Sequence, residues 1–276
     1  MKDDLGDRMK TYYEDRTRIS LPRRTFTIIR IDGKAFHTYT KGLTRPFDND
    51  LIDDLNETTK FLCQSIQGVK MGYVQSDEIS LVLTDFEKHS TDAWFDGNLQ
   101  KMASISASMA TSKFNQLRTV RFLRNTMHTL YLEKFKMAHF DSRVFTIPSL
   151  EEVINYFIWR QQDASRNSVS SVAQSLYSHK ELNGKTTSDM QELIFQKGQN
   201  WNDFPAGQKR GRTIVKRTVV VPTTKDIVEK ARDKSAFVWD DVKGYGINRN
   251  QWVIEEPPIF TEDKDYIRLT VMKKEA

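Results

Sequence analysis

Three carboxylates stand where strand-like segments end. Asp32 follows the β-branched run TFTIIRI (Thr25–Ile31), and Asp77 and Glu78 sit between two further apolar runs, Val69–Val74 and Ile79–Leu83. In a β-α-β-β arrangement the first strand and the following hairpin pair centrally, so the three acids converge on one sheet edge. Convergent carboxylates suit Mg²⁺, a hard cation usually held by one or two carboxylates together with substrate phosphates. Two such ions about 4 Å apart clamp the attacking and leaving oxygens of an in-line phosphoryl displacement. Carboxylates that close repel unless a cation or a raised pKa intervenes. Asp-Gly and Ser-Asp-Glu are also ordinary turn sequences, and that plainer reading stays open at this point.

The residues after Asp32 extend the argument. Gly33-Lys34-Ala35-Phe36-His37 begins at a strand end and can curl into a helix-like turn, whose successive backbone N–H groups cradle phosphate. Lys34 adds charge, and His37 is the histidine beside this candidate site, read as an orienting or phosphate-contacting group. No G-x-x-x-x-G-K-[ST] or G-x-G-x-x-G is present, so Walker and dinucleotide sites are not expected. Neither H-E-x-x-H nor G-x-S-x-G occurs, which removes the corresponding metallopeptidases and hydrolases.

The elements that must position these groups are legible from spacing. Leu51, Leu55, Leu62 and Ile66 recur at helical intervals, with Asp48 or Asn49 as cap and Gly68 as terminator. Val69–Val74 and Ile79–Leu83 form a hairpin, a second helix runs from about Leu99 to Leu117, and Val144–Ile147 is a further strand. The order is that of the split β-α-β-β-α-β unit. Ser149 and Glu152 make a capping box for a helix running toward Asn167. Ser188 or Asp189 opens a shorter one. Thr213–Val221, Phe237–Trp239, Trp252–Ile254 and Ile267–Val271 read as extended. The fold class is therefore α+β: a ferredoxin-like unit over residues 1–148, and a mostly helical extension with some strand over 149–276, packed on it.

Composition bounds the rest. The 276 residues are 38% hydrophobic, enough for a packed core, and no run approaches the roughly 18 apolar residues of a membrane span. The opening MKDDLGDRMK lacks the apolar stretch of a secretory signal. Cys63 is the single cysteine, which excludes an internal disulfide or a cysteine-cluster metal site and points to a reducing, cytoplasmic setting. The net charge of +5 is unevenly placed. Lys101–Lys136 and Lys209–Arg217 carry +11 between them, leaving −6 elsewhere, with an acidic run at Asp48, Asp50, Asp53, Asp54 and Glu57. Basic stretches of this kind fit a polyanionic partner, with Arg118, Arg121, Arg124, Lys209, Arg210 and Arg212 as its candidate contacts; that the polyanion is RNA is what the resemblance given below implies. A solvated helix face and a basic loop are the plainer alternatives.

Several segments, in order, resemble the tRNA-histidine guanylyltransferase superfamily: RIDGKAFHTYT (Arg30–Thr40), RPFDND (Arg45–Asp50), GYVQSDEISLVL (Gly72–Leu83) and FDSRVFTIPSLEEVINYFIWRQQDASRNSV (Phe140–Val169). SHKELNGKT (Ser178–Thr186) and NWNDFPAGQKRGR (Asn200–Arg212) carry the resemblance to about Arg217. The HINxLYN motif of members that add guanylate to tRNA-histidine is absent; Ala164-Ser165-Arg166-Asn167-Ser168 follows WRQQD instead. The sequence thus looks like the 3′-to-5′ polymerase-like branch.

The resemblance implies a polymerase-type palm and a homotetramer. It implies two Mg²⁺ ions on Asp32, the Gly33 carbonyl and Asp77, with Glu78 also required. The nucleotide contacts would be Asp32, Gly33, Lys34, Ala35, Phe36, His37, Ser76 and Asp77. The implied activity is template-dependent addition of nucleotides to the 5′ end of tRNA, with ATP and GTP or other nucleoside triphosphates as substrates. Guanylate addition at position −1 of tRNA-histidine is the alternative. A nucleotide cyclase with the same paired acids and a non-catalytic RNA-binding module are more remote. Arg160 and Asp163 are expected to form a buried ion pair or to serve the site, and Trp159 and Trp201 to be core.

Overall fold

Residues 4–125, 136–230, 235, 237–240 and 244–273 are described by the computed structural model. Its centre is one antiparallel sheet of seven strands: β1 (Phe26–Gly33), β2 (Val69–Gln75), β3 (Glu78–Leu83), β4 (Phe140–Ile147), β5 (Arg212–Pro222), β6 (Phe237–Asp240) and β7 (Gly244–Glu255), in spatial order β4-β1-β3-β2-β5-β7-β6. The first four have the 4-1-3-2 order of the split β-α-β-β-α-β unit, with the Asn49–Ser65 helix between β1 and β2 and the Leu99–Asn125 helix between β3 and β4. The sheet continues across Pro148, because β5 pairs with the free edge of β2 from Met71↔Val215 to Val74↔Arg212.

Period-2 alternation sends the two faces of the sheet to different layers. Ile29, Ile31, Ile79 and Leu81 face Leu55, Leu62 and Phe114 of the two inserted helices. Ile28, Met71, Tyr73 and Val82 face the Leu150–Leu176 helix through Val153, Ile154 and Phe157. Helix starts follow the expected capping chemistry. Asp48 Oδ1 accepts from the Leu51 N–H at 2.8 Å, and Ser149 Oγ accepts from the Glu152 N–H at 3.3 Å.

Three expectations change. The second helix runs eight residues past Leu117, to Asn125, and the Leu150 helix continues to Leu176. The shorter helix spans Thr187–Gln196 and is capped by Thr186, whose hydroxyl and Asp189 satisfy each other's N–H groups. Ile267–Val271 is part of a helix, Asp265–Met272, not a strand. Its buried Ile267, Thr270 and Val271 fall at i, i+3 and i+4, while Leu269 faces outward. Packing of that stripe beneath β2 and the long helix overrides β-branched propensity. Glu133 and Lys134, counted in the first basic stretch, lie outside the described residues.

A buried phenol ties β2 to β5. Tyr73 is fully buried and its hydroxyl donates to the Arg210 carbonyl at 2.6 Å, just before Gly211, which turns the chain into β5 at φ +79°. A Cβ on Gly211 would sit 2.6 Å from that hydroxyl oxygen, so the position is closed to side chains both by φ and by space. Tyr73→Phe strands a buried carbonyl and is expected to cost about 1–3 kcal/mol. Gly211→Ala is expected to cost more, and denaturant unfolding of the two variants checks the order.

Candidate active site

The open end of the β1–β3 pair carries the acids. Strand pairing stops at Ile31↔Ile79, so Asp32 and Gly33 run on beyond it while Ser76-Asp77 turns the chain between Gln75 and Glu78. Asp77 lies against the Gly33 backbone: a Cβ on Gly33 would stand 2.8 Å from Asp77 Oδ2 and would also collide with the Phe36 ring. Glycine is therefore obligatory where the two strand ends meet. Two non-glycine residues flanking the acids, Ala35 (φ +52°) and Ser76 (φ +47°), adopt left-handed backbone. Such strain costs about 1–3 kcal/mol per residue and gathers at functional sites.

Asp77 is held as a poorly compensated anion. Burial pushes its carboxyl up to about 6, and the Asp32 and Glu78 charges push the same way, against the Ser76 hydroxyl that donates to Oδ1 at 3.0 Å. Asp32 is half-buried, and its one basic neighbour, Arg143, reaches it only at 4.0 Å. No cluster of three or more His, Cys, Asp or Glu side chains exists among the described residues. Two facing carboxylates short of positive charge, with the Gly33 backbone against one of them, fit Mg²⁺, which needs few protein ligands when phosphates complete its shell.

Glu78 differs from its neighbour. It is 5% exposed, and its Oε2 accepts from Arg30 at 2.5 Å and from Arg160 at 2.7 Å. Arg160 also lies 3.4 Å from Asp163, so the expected Arg160–Asp163 pair exists as part of a larger group. Arg30 was not singled out from the sequence; its place two residues before Asp32, on the same strand face, was the available signal.

Beside the acids opens a cavity of about 470 Å³. Phe36 and His37 of a short helical turn, Ser76 and Asp77 at the hairpin tip, the 43–48 loop and residues 207, 208, 211 and 212 line it. Of the expected nucleotide contacts, Phe36, His37, Ser76 and Asp77 are in its wall. Asp32, Gly33, Lys34 and Ala35 are not, and the Lys34 N–H is already bonded to the His139 carbonyl at 2.8 Å. The long helix supplies a wall that sequence reasoning missed: Asn167, Ser168, Ser170, Ser171 and Gln174. A run of small polar residues continuing a helix past WRQQD was the sign of it. Trp201 braces this wall, donating from Nε1 to Ser168 Oγ at 3.0 Å. Trp159, expected in the core, is 47% exposed because it covers Arg160 instead.

The basic candidates are corrected by their geometry. Arg118 and Arg121 pair with the buried Asp54, and Arg121 also with Asp50, joining the two inserted helices. Lys209 is buried and donates to the Asn202 carbonyl at 2.5 Å. Arg212 is buried between Asn56 and the Gly207 carbonyl, and burial lowers its pKa to about 10. Those four charges meet internal acceptors, so RNA contact is not assigned to them. Arg210 is half-buried, with an Nε that has no partner, and Arg124 is exposed.

Comparison with known proteins places this geometry. The family model described as Thg1, tRNAHis guanylyltransferase, matches residues 6–148, which hold both acids and the hairpin. The chain belongs to the tRNA(His) guanylyltransferase family. It is accordingly a nucleotidyltransferase. A bacterial tRNA(His) guanylyltransferase-like protein solved in complex with ATP is 43% identical, with a TM-score of 0.78 over 97% of this chain and 99% of that one. One in complex with GTP is 41% identical, at 0.74 over 98% and 100%. A probable tRNA(His) guanylyltransferase of Drosophila melanogaster is 26% identical over 73% of this chain and 71% of its own length, and the Candida glabrata enzyme 27% over 70% and 83%. Among the described residues, no helix of this guanylyltransferase-family chain is long and apolar enough to cross a membrane.

The Asp77 carboxyl gives a signed prediction. Its pKa in the fold lies above the ordinary 3.8, so ionisation costs stability and the cost grows as pH rises through about 6. At pH 8 in chelator, Asp77→Asn is expected to raise the melting temperature by about 2–4 °C, on the order of 1 kcal/mol. At pH 4.5, still above the ordinary 3.8, the gain should fall to well under half, and it should vanish only below 3.8. Calorimetric scans at the two pH values decide; a gain that is equal at both refutes the uncompensated charge.

Proposed function

We propose that this guanylyltransferase-family protein adds nucleotides to the 5′ end of tRNA, with guanylate addition at position −1 of tRNA(His) as the reaction its relatives' names support best. The supporting observation is Asp77, electrostatically coupled to Asp32, in the wall of a 470 Å³ cavity, large enough for a nucleotide, that also holds Phe36, His37 and Ser76. The ATP- and GTP-bound relatives at 43% and 41% identity support the same use of the cavity. The curated relatives favour guanylate addition over template-directed repair of truncated 5′ ends, the reaction expected first from the sequence. Repair remains the second reading because HINxLYN is absent and the 43%-identical protein is described as guanylyltransferase-like.

The chemistry is two phosphoryl transfers. A 5′-monophosphate oxygen of the RNA attacks the α-phosphorus of ATP and pyrophosphate leaves. The 3′-hydroxyl of the incoming nucleotide then attacks the RNA's 5′ phosphorus, its proton passes to solvent and AMP departs. Neither step needs a protein nucleophile; positioning and electrostatics suffice. Asp32 and Asp77, with the Gly33 carbonyl, would hold divalent metal, taken as two Mg²⁺ ions. When bound, such ions supply Lewis acidity to phosphoryl oxygens and lower the pKa of an attacking hydroxyl. His37 and Ser76 would contact phosphate or sugar, the backbone at Phe36 would border the nucleotide while its ring stays in the core, and Asn167 and Ser168 offer hydrogen bonds to it.

A single assay separates the readings. The protein is incubated with Mg²⁺, labelled nucleoside triphosphates and either 5′-monophosphorylated tRNA(His) or a 5′-truncated tRNA for another amino acid. Guanylate added to tRNA(His) supports the first reading; template-matched extension of both RNAs supports repair. A cyclic product formed without RNA would sink both. Asp77→Ala is expected to lower addition by about 10³-fold or more, as loss of an electrostatic stabiliser does, while RNA retention in gel shifts persists.

A further inference from the structure

The group formed by Glu78, Arg30, Arg160 and Asp163 has no part in holding nucleotide, yet it is the most tightly built polar feature near the acids. Arg160 is 2% exposed, bonds Glu78 through one arm and Asp163 through the other, and stacks on the Trp159 ring with 3.5 Å between guanidinium carbon and ring centroid. Trp159 packs edge-on against Tyr156, whose hydroxyl bonds Ser80 on β3 at 2.8 Å. Arg30 reaches Glu78 from β1 and lies 5.8 Å from the same ring. Glu78 and Arg160 are buried and Arg30 and Asp163 partly so; burying such charge is expensive, and apolar residues of similar size often serve stability as well or better. Three atoms of the group, Arg30 Nε, Arg160 Nε and Glu78 Oε1, lack partners altogether. Stability alone is a poor account of it.

Its position supplies a better one. Pairing between β1 and β3 ends at Ile31↔Ile79, one residue short of Asp32, which is held on its other side opposite Asp141 of β4, so no β1–β3 backbone pair joins Asp32 to the Ser76-Asp77 turn. Glu78 follows Asp77 directly, and Arg30 precedes Asp32 by two residues on the same strand. The Arg30–Glu78 bond is thus a cross-strand tie just inside the open end, setting the separation of the two acids. Arg160 fastens that tie to the long helix one turn before Ala164 and two before Asn167, which line the cavity. Glu78 Oε2 is already taken by both arginines. We infer that Arg30 and Arg160 are positioning residues: clamped on Glu78, they fix the Asp32–Asp77 pair and its alignment with the helical wall of the nucleotide cavity. Glu78 acts as the hub of this clamp and not as a ligand or acid–base group.

The inference rests on the reading of Asp32 and Asp77 as the divalent-cation site, and the test separates the two. Mn²⁺ binding to the full-length protein without nucleotide is followed by electron paramagnetic resonance for wild type, Asp77→Asn, Glu78→Gln, Arg160→Lys and Arg30→Gln. Each variant's melting temperature and its kcat and KM for tRNA are measured beside it. Loss of an outer partner of a ligand weakens metal affinity or activity about 10–100-fold. Arg160→Lys and Glu78→Gln are therefore expected to weaken Mn²⁺ binding and lower kcat by about tenfold or more, with KM for tRNA unchanged. Arg160→Lys should also retain more activity than Arg160→Met. If Arg160→Lys does not fold, Arg30→Gln, at a side chain 20% exposed, carries the same decision. Folded clamp variants that melt earlier but keep wild-type Mn²⁺ affinity and kcat overturn the inference and leave the cation site standing. Unchanged Mn²⁺ affinity in Asp77→Asn overturns the cation site, and the inference with it.

Discussion

The Gly33 backbone and the Asp77 carboxylate approach so closely that a side chain cannot stand between them, and the arrangement of the site follows from that contact. It requires β1 to run past its ladder with β3, and it requires a turn of only Ser76 and Asp77 between β2 and β3. It also folds Phe36 back over Gly33 into the aromatic group with Tyr39, Phe114 and Phe140. The ring anchors the start of the short helical turn in the core, which leaves His37 exposed beside the cavity. The left-handed backbone at Ala35 and Ser76 is the strain that this close approach demands, offset by the well-packed sheet beneath.

Charge is organised around that contact by pairing most of it away. The acidic run of the Asn49–Ser65 helix meets the basic run of the Leu99–Asn125 helix, so Asp50 and Asp54 neutralise Arg118 and Arg121. In β5 the second basic stretch enters the sheet. Arg217 grips Glu255 of β7 through two nitrogens at 2.8 Å each, and Lys216 lies over Trp252. Asp77 is conspicuous because it is not treated in this way. The charges that act on it are acids, Asp32 and Glu78, and Arg30 and Arg160 are taken up by Glu78, the next residue. The uneven treatment is what supports the reading of Asp32 and Asp77 as a cation site proposed above.

The frame of the fold was legible in the sequence because local signals and tertiary needs agree there. The alternation in Phe26–Ile31 and Ile79–Leu83, the Asp48 and Ser149 caps and the turn residues around Asp77 each point to the structure they form. Asp32, Gly33 and Asp77 were legible for the same reason, as strand ends in a known order. Features that depend on distant partners were not. Ile267–Val271 has the residue types of a strand, and only its fit beneath β2 makes it a helix. Arg212 and Lys209 read as surface charge because nothing local shows that Asn56 and the Asn202 carbonyl will enclose them. Trp159 read as core because its size hides the fact that its partner is a guanidinium. A motif such as WRQQD shows that residues belong together, but the 82-residue separation of Glu78 and Arg160 hides what they do.

The Leu150–Leu176 helix shows why these longer-range choices matter for the chemistry. Its first turns pack Val153, Ile154 and Phe157 against the sheet and fix its height. Its middle holds Glu78 through Arg160, and its next turns present Asn167, Ser168 and Ser171 to the cavity, with Val169, Val172 and Ala173 on the opposite stripe sealed by the Ile194 cluster. One rigid rod thus refers the hairpin that carries Asp77 and the helical wall of the cavity to the same origin. In a phosphoryl transfer the protein contributes chiefly alignment, and an error of about 1 Å can cost 10²-fold. A single helix that spans both groups keeps that error from accumulating across two loops, which is a physical reason for the site to stand against this layer of the fold.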